Sequence, residues 1–194
     1  MATIRDTLKN VQNKLYQGIG FSSDEAKLEA RFILEHVLKI AQKEIIQKSD
    51  LHIDTDNQVE IEYITEKRIA GTPLPYLIGE WSFYGRTFKV NPHVLIPRAD
   101  TEILIEKALS KINVRDLYEI LDLGCGAGII GITIALERPL SKATLIDQSE
   151  YAIQNTKENQ TLHQVTNVMI QKSDWFSALA VSYTHLTLPT KRIV

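Results

Sequence analysis

The sequence predicts an α/β protein in which a small helical bundle is followed by a β-hairpin and a parallel sheet. Over about the first 70 residues, apolar side chains recur at helical spacing. After Pro75 they alternate as in a hairpin, and from Tyr118 strands alternate with helices as in two consecutive βαβ units. A chain of 194 residues can form one large domain or two small ones.

The composition excludes several classes of protein. The 22 Lys+Arg and 24 Asp+Glu residues give a formal charge of −2, so no overall field attracts nucleic acid or an acidic membrane. No apolar stretch approaches the roughly 20 residues that span a bilayer, and we expect no secretory signal, because the first 15 residues contain no continuous apolar run. Cys125 is the single cysteine, which excludes an internal disulfide and favours a reducing compartment. We therefore expect a cytoplasmic protein.

Residues 1–72 read as a helical domain. The first predicted helix has an apolar face and is expected to stop at Gly18 and Gly20; its face comprises Ile4, Leu8, Val11 and Leu15. Ser22 and Glu25 have the spacing of a capping box, which predicts the start of a second helix. We expect two further helices, at about 43–48 and 58–70.

Residues 73–98 read as a β-hairpin linker. The strand pattern begins at Pro75, and Gly85-Arg86 fits a two-residue turn with glycine in the first central position. The side chains that alternate around this turn are Trp81, Phe83, Phe88 and Val90. Beyond the hairpin, Asp100 is predicted to cap a helix that runs to about Ser110.

The second half of the chain predicts a parallel sheet covered by helices. A buried strand is expected at 118–123, followed by strands at 143–147 and 167–171. Helices are expected between them, at 129–137 and at about 150–160. Consecutive βαβ units of this kind form a doubly wound parallel sheet.

The residues that carry chemistry follow the first two of these strands. The sequence DLGCGAG at 122–128 places glycines at the end of a strand, where the backbone must turn sharply and approach a ligand closely. Asp147 ends the next strand, where a carboxylate can accept both ribose hydroxyls of a nucleoside. Together they predict a nucleoside-binding site.

The glycine spacing leaves two kinds of nucleoside open. Counted from Gly124, the dinucleotide pattern G-x-G-x-x-G fails at Ile129; counted from Gly126, it is met by Gly128 and Gly131. That second register begins two residues past the strand, which weakens the nicotinamide interpretation without eliminating it. Asp122 would repel a pyrophosphate but suits the cationic end of S-adenosylmethionine.

Several segments together resemble the HemK/PrmC family of bacterial peptide chain release factor N5-glutamine methyltransferases. They are GTPLPYLIG at 71–79, FYG at 83–85, VLIPRADTE at 94–102, the glycine loop, Asp147 and SDWF at 173–176. The resemblance covers about residues 1–180. It implies an incomplete class I S-adenosylmethionine-dependent methyltransferase, a Rossmann-like domain, at 99–180.

The resemblance also implies roles for particular residues. The loop formed by Gly124, Cys125, Gly126, Ala127 and Gly128 would hold the methionine part of S-adenosyl-L-methionine. Asp147 would hold the ribose, and Asp174 and Trp175 would lie along the adenine. The helical domain and hairpin would dock the protein substrate, a class I peptide chain release factor. The implied reaction methylates the side-chain amide of the glutamine in its Gly-Gly-Gln loop, without a metal, and we expect a monomer.

The catalytic motif of that family, Asn-Pro-Pro-Tyr, does not occur in these 194 residues. We therefore assign no catalytic residue and predict that the polypeptide as written is inactive. Residues 181–194, VSYTHLTLPTKRIV, resemble a translated adapter sequence, and we expect them to be a non-native tail; a natural edge strand is the alternative.

Two other functions remain open on sequence alone. A nucleic-acid amino-methyltransferase faces the same chemical problem, although the neutral charge and the absence of a basic stripe disfavour it. A fragment that binds cofactor or partner without turnover is the other alternative. We expect neither direct nucleic-acid binding nor a membrane association.

Overall fold

The computed structural model describes residues 2–178, which fall into two compact units that divide between Gly79 and Glu80. The predicted tail at 181–194 lies outside the described residues. The first unit contains five helices: α1 (Ile4–Ile19), α2 (Ser23–Leu38), α3 (Gln42–Gln47), α4 (Thr55–Ile69) and α5 (Leu74–Ile78). None of the described helices is long and apolar enough to cross a membrane.

Side-chain caps set where the three long helices of the first unit begin. Thr3, Ser22 and Asp54 each accept a hydrogen bond from a backbone N–H in the first turn, and Ser22 with Glu25 forms the predicted capping box. Gly20 ends α1 in the left-handed conformation, as predicted. Gly18 lies inside α1 and does not end this helix. A Cβ at position 18 would come within 2.8 Å of the Ile69 side chain.

An aliphatic core holds the helices of the first unit together. Its fully buried side chains include Leu15 from α1, Ile33 and Leu34 from α2, and Ile61 from α4. Short helix α5 also contributes a buried residue, Leu74. The strand predicted from Pro75 is therefore wrong as far as Ile78: proline is tolerated in the first turn of a helix, where its missing N–H has no partner to lose.

The second unit begins with a hairpin of two antiparallel strands, β1 (Glu80–Phe83) and β2 (Arg86–Lys89). Phe83 pairs with Arg86, so the central turn residues are Tyr84 and Gly85, with φ of 50° and 69°. Positive φ at both positions defines a type I′ turn, whose twist matches that of the strands. The predicted turn at Gly85-Arg86 is thus displaced by one residue.

The rest of the second unit is a three-stranded parallel sheet with helices. Its elements are α6 (Asp100–Leu109), β3 (Glu119–Leu123), α7 (Ile129–Glu137), β4 (Lys142–Asp147), α8 (Glu150–Leu162) and β5 (Val168–Lys172). The strand order is β3-β4-β5, with Asp122 opposite Leu145 and Leu145 opposite Ile170. This arrangement confirms the predicted α/β fold.

Two further local predictions in the second unit are wrong. Asp100 is the first residue of α6 and does not cap it, because Ala99 occupies the cap position and no side chain bonds there. Strand β3 is half-buried, whereas the interior residues of β4 are buried. The difference follows from position, since β4 lies between two strands and β3 pairs within residues 2–178 with β4 alone.

Candidate functional site

A cavity of about 290 Å³ opens at the carboxyl ends of β3, β4 and β5. Its walls come from the ends of all three strands and the turns that follow them: Leu123, Gly124, Ile146, Asp147, Gln148, Ser173, Asp174 and Trp175. Ligands of open parallel sheets bind at this edge, because the turns there project side chains and backbone groups outward. Four of the eight predicted cofactor-binding residues lie in the wall: Gly124, Asp147, Asp174 and Trp175.

The glycine loop forms one side of this region in a conformation that requires glycine. Gly124 and Gly126 have φ of 74° and 56°, and a Cβ on either would meet no atom within 4 Å. Gly128 has a φ of 75° and in addition serves close packing, since its Cβ would lie 2.6 Å from Thr156. Thus Gly124 and Gly126 leave open space beside the backbone, and Gly128 allows helix α8 to pack closely against the loop.

The amides of the glycine loop are largely committed within the protein. The N–H groups of Gly124 and Cys125 donate to the Ile146 carbonyl at 2.8 and 2.9 Å, and Gly126 N–H donates to Asp147 Oδ2 at 3.0 Å. A phosphate cradle needs such N–H groups free to point at the ligand. The loop is therefore not arranged to bind the pyrophosphate of a dinucleotide.

Two fully buried polar side chains of helix α8 donate hydrogen bonds to carbonyl groups of the glycine loop. Thr156 Oγ1 donates to the Gly126 carbonyl at 2.8 Å, and Asn159 Nδ2 donates to the Ala127 carbonyl at 2.9 Å. Asn159 also bonds both backbone groups of Lys89 in β2, at 2.7 and 2.9 Å. It thereby joins the hairpin to the loop. Sequence reasoning missed both residues, although polar residues on the face that carries Ala152 were a signal.

Asp147 connects the end of β4 to the glycine loop. One carboxylate oxygen accepts from Gly126 N–H and the other from Ser149 N–H at 2.9 Å. A carboxylate has about four acceptor positions, so each oxygen can accept one more hydrogen bond. The structure thus leaves Asp147, on the cavity wall, able to receive two hydroxyl groups of a ligand.

Asp122 lies at the end of β3 and is a second carboxylate in this region. Burial raises the pKa of Asp122 above its ordinary range, a hydrogen bond from Gly131 N–H at 3.0 Å opposes the shift, and the charge of Asp147 adds to it. Within residues 2–178, neither carboxylate forms a salt bridge. A cationic ligand next to these carboxylates would stabilise their charged forms, so the site fits such a ligand.

Cys125 is a packing residue in the structure. Burial raises the pKa of its thiol to about 12, and Sγ lies 3.5 Å from Thr156 Oγ1. A thiol with so high a pKa is not a nucleophile at neutral pH. Like Ala127 and Gly128, Cys125 is buried and does not line the cavity, so any contact of these three with the cofactor stays a prediction.

The turn after β5 completes the opposite wall. The backbone N–H of Ser173 donates to the Asp147 carbonyl at 3.0 Å, which sets this turn beside the end of β4. Asp174 and Trp175 follow, and both are exposed. Their position next to Asp147 agrees with the predicted adenine contacts, which nonetheless stay a prediction.

The fold is that of a class I S-adenosylmethionine-dependent methyltransferase domain, and its glycine loop is unsuited to pyrophosphate. Residues 115–186 match a methyltransferase domain family, and residues 16–79 match the PrmC N-terminal domain. The chain is therefore similar in both parts to the HemK/PrmC family of release factor glutamine methyltransferases. The predicted resemblance is thereby confirmed, as is S-adenosylmethionine as the cofactor.

Individual relatives agree with this assignment. The chain is 36% identical over 178 residues to the release factor glutamine methyltransferase of Vibrio cholerae, covering 92% of this chain and 61% of the relative. It is 30% identical over 179 residues to that of Coxiella burnetii, with 92% and 63% covered. For the Fusobacterium nucleatum protein the identity is 37% over 153 residues, with 78% and 43% covered. The chain thus spans about three fifths of the length of the first two relatives.

Proposed function

We propose that this chain carries the cofactor site and the substrate-recognition domain of a release factor glutamine methyltransferase. The substrate would be the glutamine of the Gly-Gly-Gln loop in a class I peptide chain release factor. The observation that carries the proposal is Asp147, which lies on the wall of a nucleoside-sized cavity, has no salt-bridge partner among residues 2–178 and has acceptor positions left for two ligand hydroxyls.

The chain's own residues would act by binding and orientation. S-adenosylmethionine supplies a methyl group on a positively charged sulfur. Asp147 would hold the ribose hydroxyls, Asp174 the exocyclic amine of adenine, and Trp175 would cover the base. Asp122, in strand β3 just before the glycine loop, would attract the ammonium group of S-adenosylmethionine. Rigid placement matters because an amide nitrogen is a poor nucleophile and must be aligned with the methyl group.

We also propose that the 194-residue polypeptide binds cofactor without transferring the methyl group. The Asn-Pro-Pro-Tyr motif that would accept the two amide hydrogens is not among its residues. Without those acceptors, the amide nitrogen gains no help in leaving planarity. The proposed setting is the cytoplasm, with the protein as a monomer and residues 1–72 docking the release factor.

A binding and transfer experiment tests these proposals together. The purified chain is titrated with S-adenosylmethionine and NAD⁺ by calorimetry, then incubated with radiolabelled S-adenosylmethionine and a class I release factor. We expect binding of S-adenosylmethionine alone and no label in the protein. A chain extended to the length of its relatives is expected to label the Gly-Gly-Gln peptide.

The controls separate the alternatives. A release factor with Gln replaced by Ala in the Gly-Gly-Gln loop should stay unlabelled with the extended chain. Label in DNA or RNA would support a nucleic-acid methyltransferase and contradict the proposed substrate. Turnover by the 194-residue chain would contradict its proposed inactivity but leave the substrate assignment in place.

A further inference from the structure

Trp175 has an unusual backbone conformation for its size. Its φ is 49°, in the left-handed region, where a bulky residue is an outlier unless its surroundings impose that conformation. The residue is 69% exposed, although it lies on the wall of the nucleoside cavity. Packing of the indole against the protein therefore does not explain the backbone conformation.

The hydroxyl of Ser173 contacts this turn at three points. Oγ donates to the Trp175 carbonyl at 3.0 Å, accepts from Ala178 N–H at 3.0 Å and lies 3.2 Å from Ser177 Oγ. Ser173 is 6% exposed, so these contacts are shielded from water. A buried hydroxyl thus fixes the peptide unit that follows the indole.

The backbone of Ser173 links the same turn to the ribose side of the cavity. Its N–H donates to the Asp147 carbonyl at 3.0 Å, continuing the pairing of β5 with β4. One residue therefore connects the strand end that bears Asp147 to the turn that bears Trp175.

We propose that Ser173 is a positioning residue for cofactor binding: its hydroxyl holds Trp175 in the left-handed conformation that presents the indole to the adenine. The proposal rests on the proposed function, since it takes the nucleoside of S-adenosylmethionine as the occupant of the cavity. Ser173 does not itself need to touch the cofactor.

A double-mutant cycle distinguishes this role from general support of the fold. S-adenosylhomocysteine is titrated by calorimetry into the full chain and into Ser173→Ala, Trp175→Ala and the double variant. Stacking of a base on an aromatic ring predicts about tenfold weaker binding for Trp175→Ala. For Ser173→Ala we expect about fivefold weaker binding, and for the same change in the Trp175→Ala background less than about twofold.

A matched control lies in the same turn. Ser177→Ala removes a hydroxyl that contacts Ser173 Oγ but has no described bond to the Trp175 carbonyl, and should retain the affinity of the unsubstituted chain. Ser173→Thr, which keeps a hydroxyl, should restore binding. Thermal melts followed by circular dichroism establish that each variant is folded.

A measurement without cofactor keeps the inference separable from the proposed function. In a Trp81→Phe background, Trp175 is the sole tryptophan. There Ser173→Ala should lower its fluorescence anisotropy and increase acrylamide quenching, while Ser177→Ala should change neither. If the unsubstituted chain binds S-adenosylhomocysteine but Ser173→Ala binds equally well, the inference is overturned alone. The inference is also overturned if Ser173→Ala weakens binding of S-adenosylhomocysteine equally in the unsubstituted chain and in the Trp175→Ala chain. If the unsubstituted chain does not bind S-adenosylhomocysteine, both this inference and the proposed function are overturned.

Discussion

The two units of the molecule bury different kinds of side chain. The core of residues 2–79 is aliphatic, and its buried polar residues are two threonines, Thr7 and Thr65. In residues 80–178 the buried polar set is larger: Thr133, Ser141, Thr144, Asn155, Thr156, Asn159 and Ser173. Buried polar groups cost free energy unless they are hydrogen-bonded. The first unit is built by packing, whereas the second also uses its interior to hold a loop.

Removing part of the aliphatic core should have the largest effect on stability and none on the cofactor site. Leu15→Ala leaves a cavity at a fully buried position, so we expect a loss of about 3 kcal/mol in the free energy of unfolding. Urea unfolding followed by circular dichroism measures it. Val59→Ala, at an exposed position of α4, should cost less than about 0.5 kcal/mol. If folded Leu15→Ala bound S-adenosylhomocysteine with a changed affinity, the aliphatic core of the first unit would affect the cofactor site, and the proposed difference between the two units would be wrong.

Removing Asn159 should affect stability and cofactor binding together. Asn159→Ala leaves three backbone groups of Lys89 and Ala127 without their partner, at an expected cost of about 2 kcal/mol. Affinity for S-adenosylhomocysteine should fall because the glycine loop loses a tether. Asn155→Ala is the matched control, since it removes an equally buried amide of α8 whose Oδ1 has no hydrogen bond. Equal loss of affinity in both variants would mean that the tether to the loop is irrelevant.

Removing the charge of Asp122 should increase the stability of the fold and weaken cofactor binding. Asp122→Asn keeps an oxygen for Gly131 N–H but eliminates a buried charge, so we expect a gain of about 1 kcal/mol in stability at pH 7. Affinity for S-adenosylmethionine should fall by about tenfold. The exposed Asp116→Asn should change neither quantity. A less stable Asp122→Asn chain would contradict the account of this site.

The pH dependence of stability has a definite sign at Asp122. Because its pKa is raised in the folded state, that state binds more protons between the unfolded and folded pKa values. The contribution of Asp122 to stability therefore increases as pH falls through the folded pKa, and it levels off below the unfolded value of about 3.9. Stability is measured as a function of pH for both chains, and subtracting the profile of Asp122→Asn from that of the unsubstituted chain isolates the contribution of Asp122. If this difference decreased as pH falls, it would contradict the raised pKa of Asp122.

The same contrast explains what the sequence could predict. Apolar periodicity placed the long helices of the first unit, because burial there follows one stripe of each helix. Helix α7 was predicted with both of its boundaries, since Gly128 and Pro139 flank a largely apolar segment. Local patterns suffice where burial alone decides the structure.

The predictions failed where tertiary contacts override a local pattern. Pro75 was interpreted as the start of a strand but lies in the first turn of α5, held by the burial of Leu74. Tyr84 takes a positive φ that its residue type disfavours, and Glu102 accepts from its N–H at 3.0 Å. Thr156 and Asn159 were not identified from the sequence, because only the folded chain brings the loop carbonyls to them.

The central claim is that Asp147 and its neighbours form a nucleoside site for S-adenosylmethionine, and titration calorimetry on an Asp147→Asn variant tests it most directly. The unsubstituted chain should bind S-adenosylmethionine and not NAD⁺, and Asp147→Asn should bind it at least about tenfold more weakly. Glu150→Gln, which removes a neighbouring exposed charge, should bind like the unsubstituted chain. Equal binding by Asp147→Asn, or tighter binding of NAD⁺ than of S-adenosylmethionine, would contradict the account.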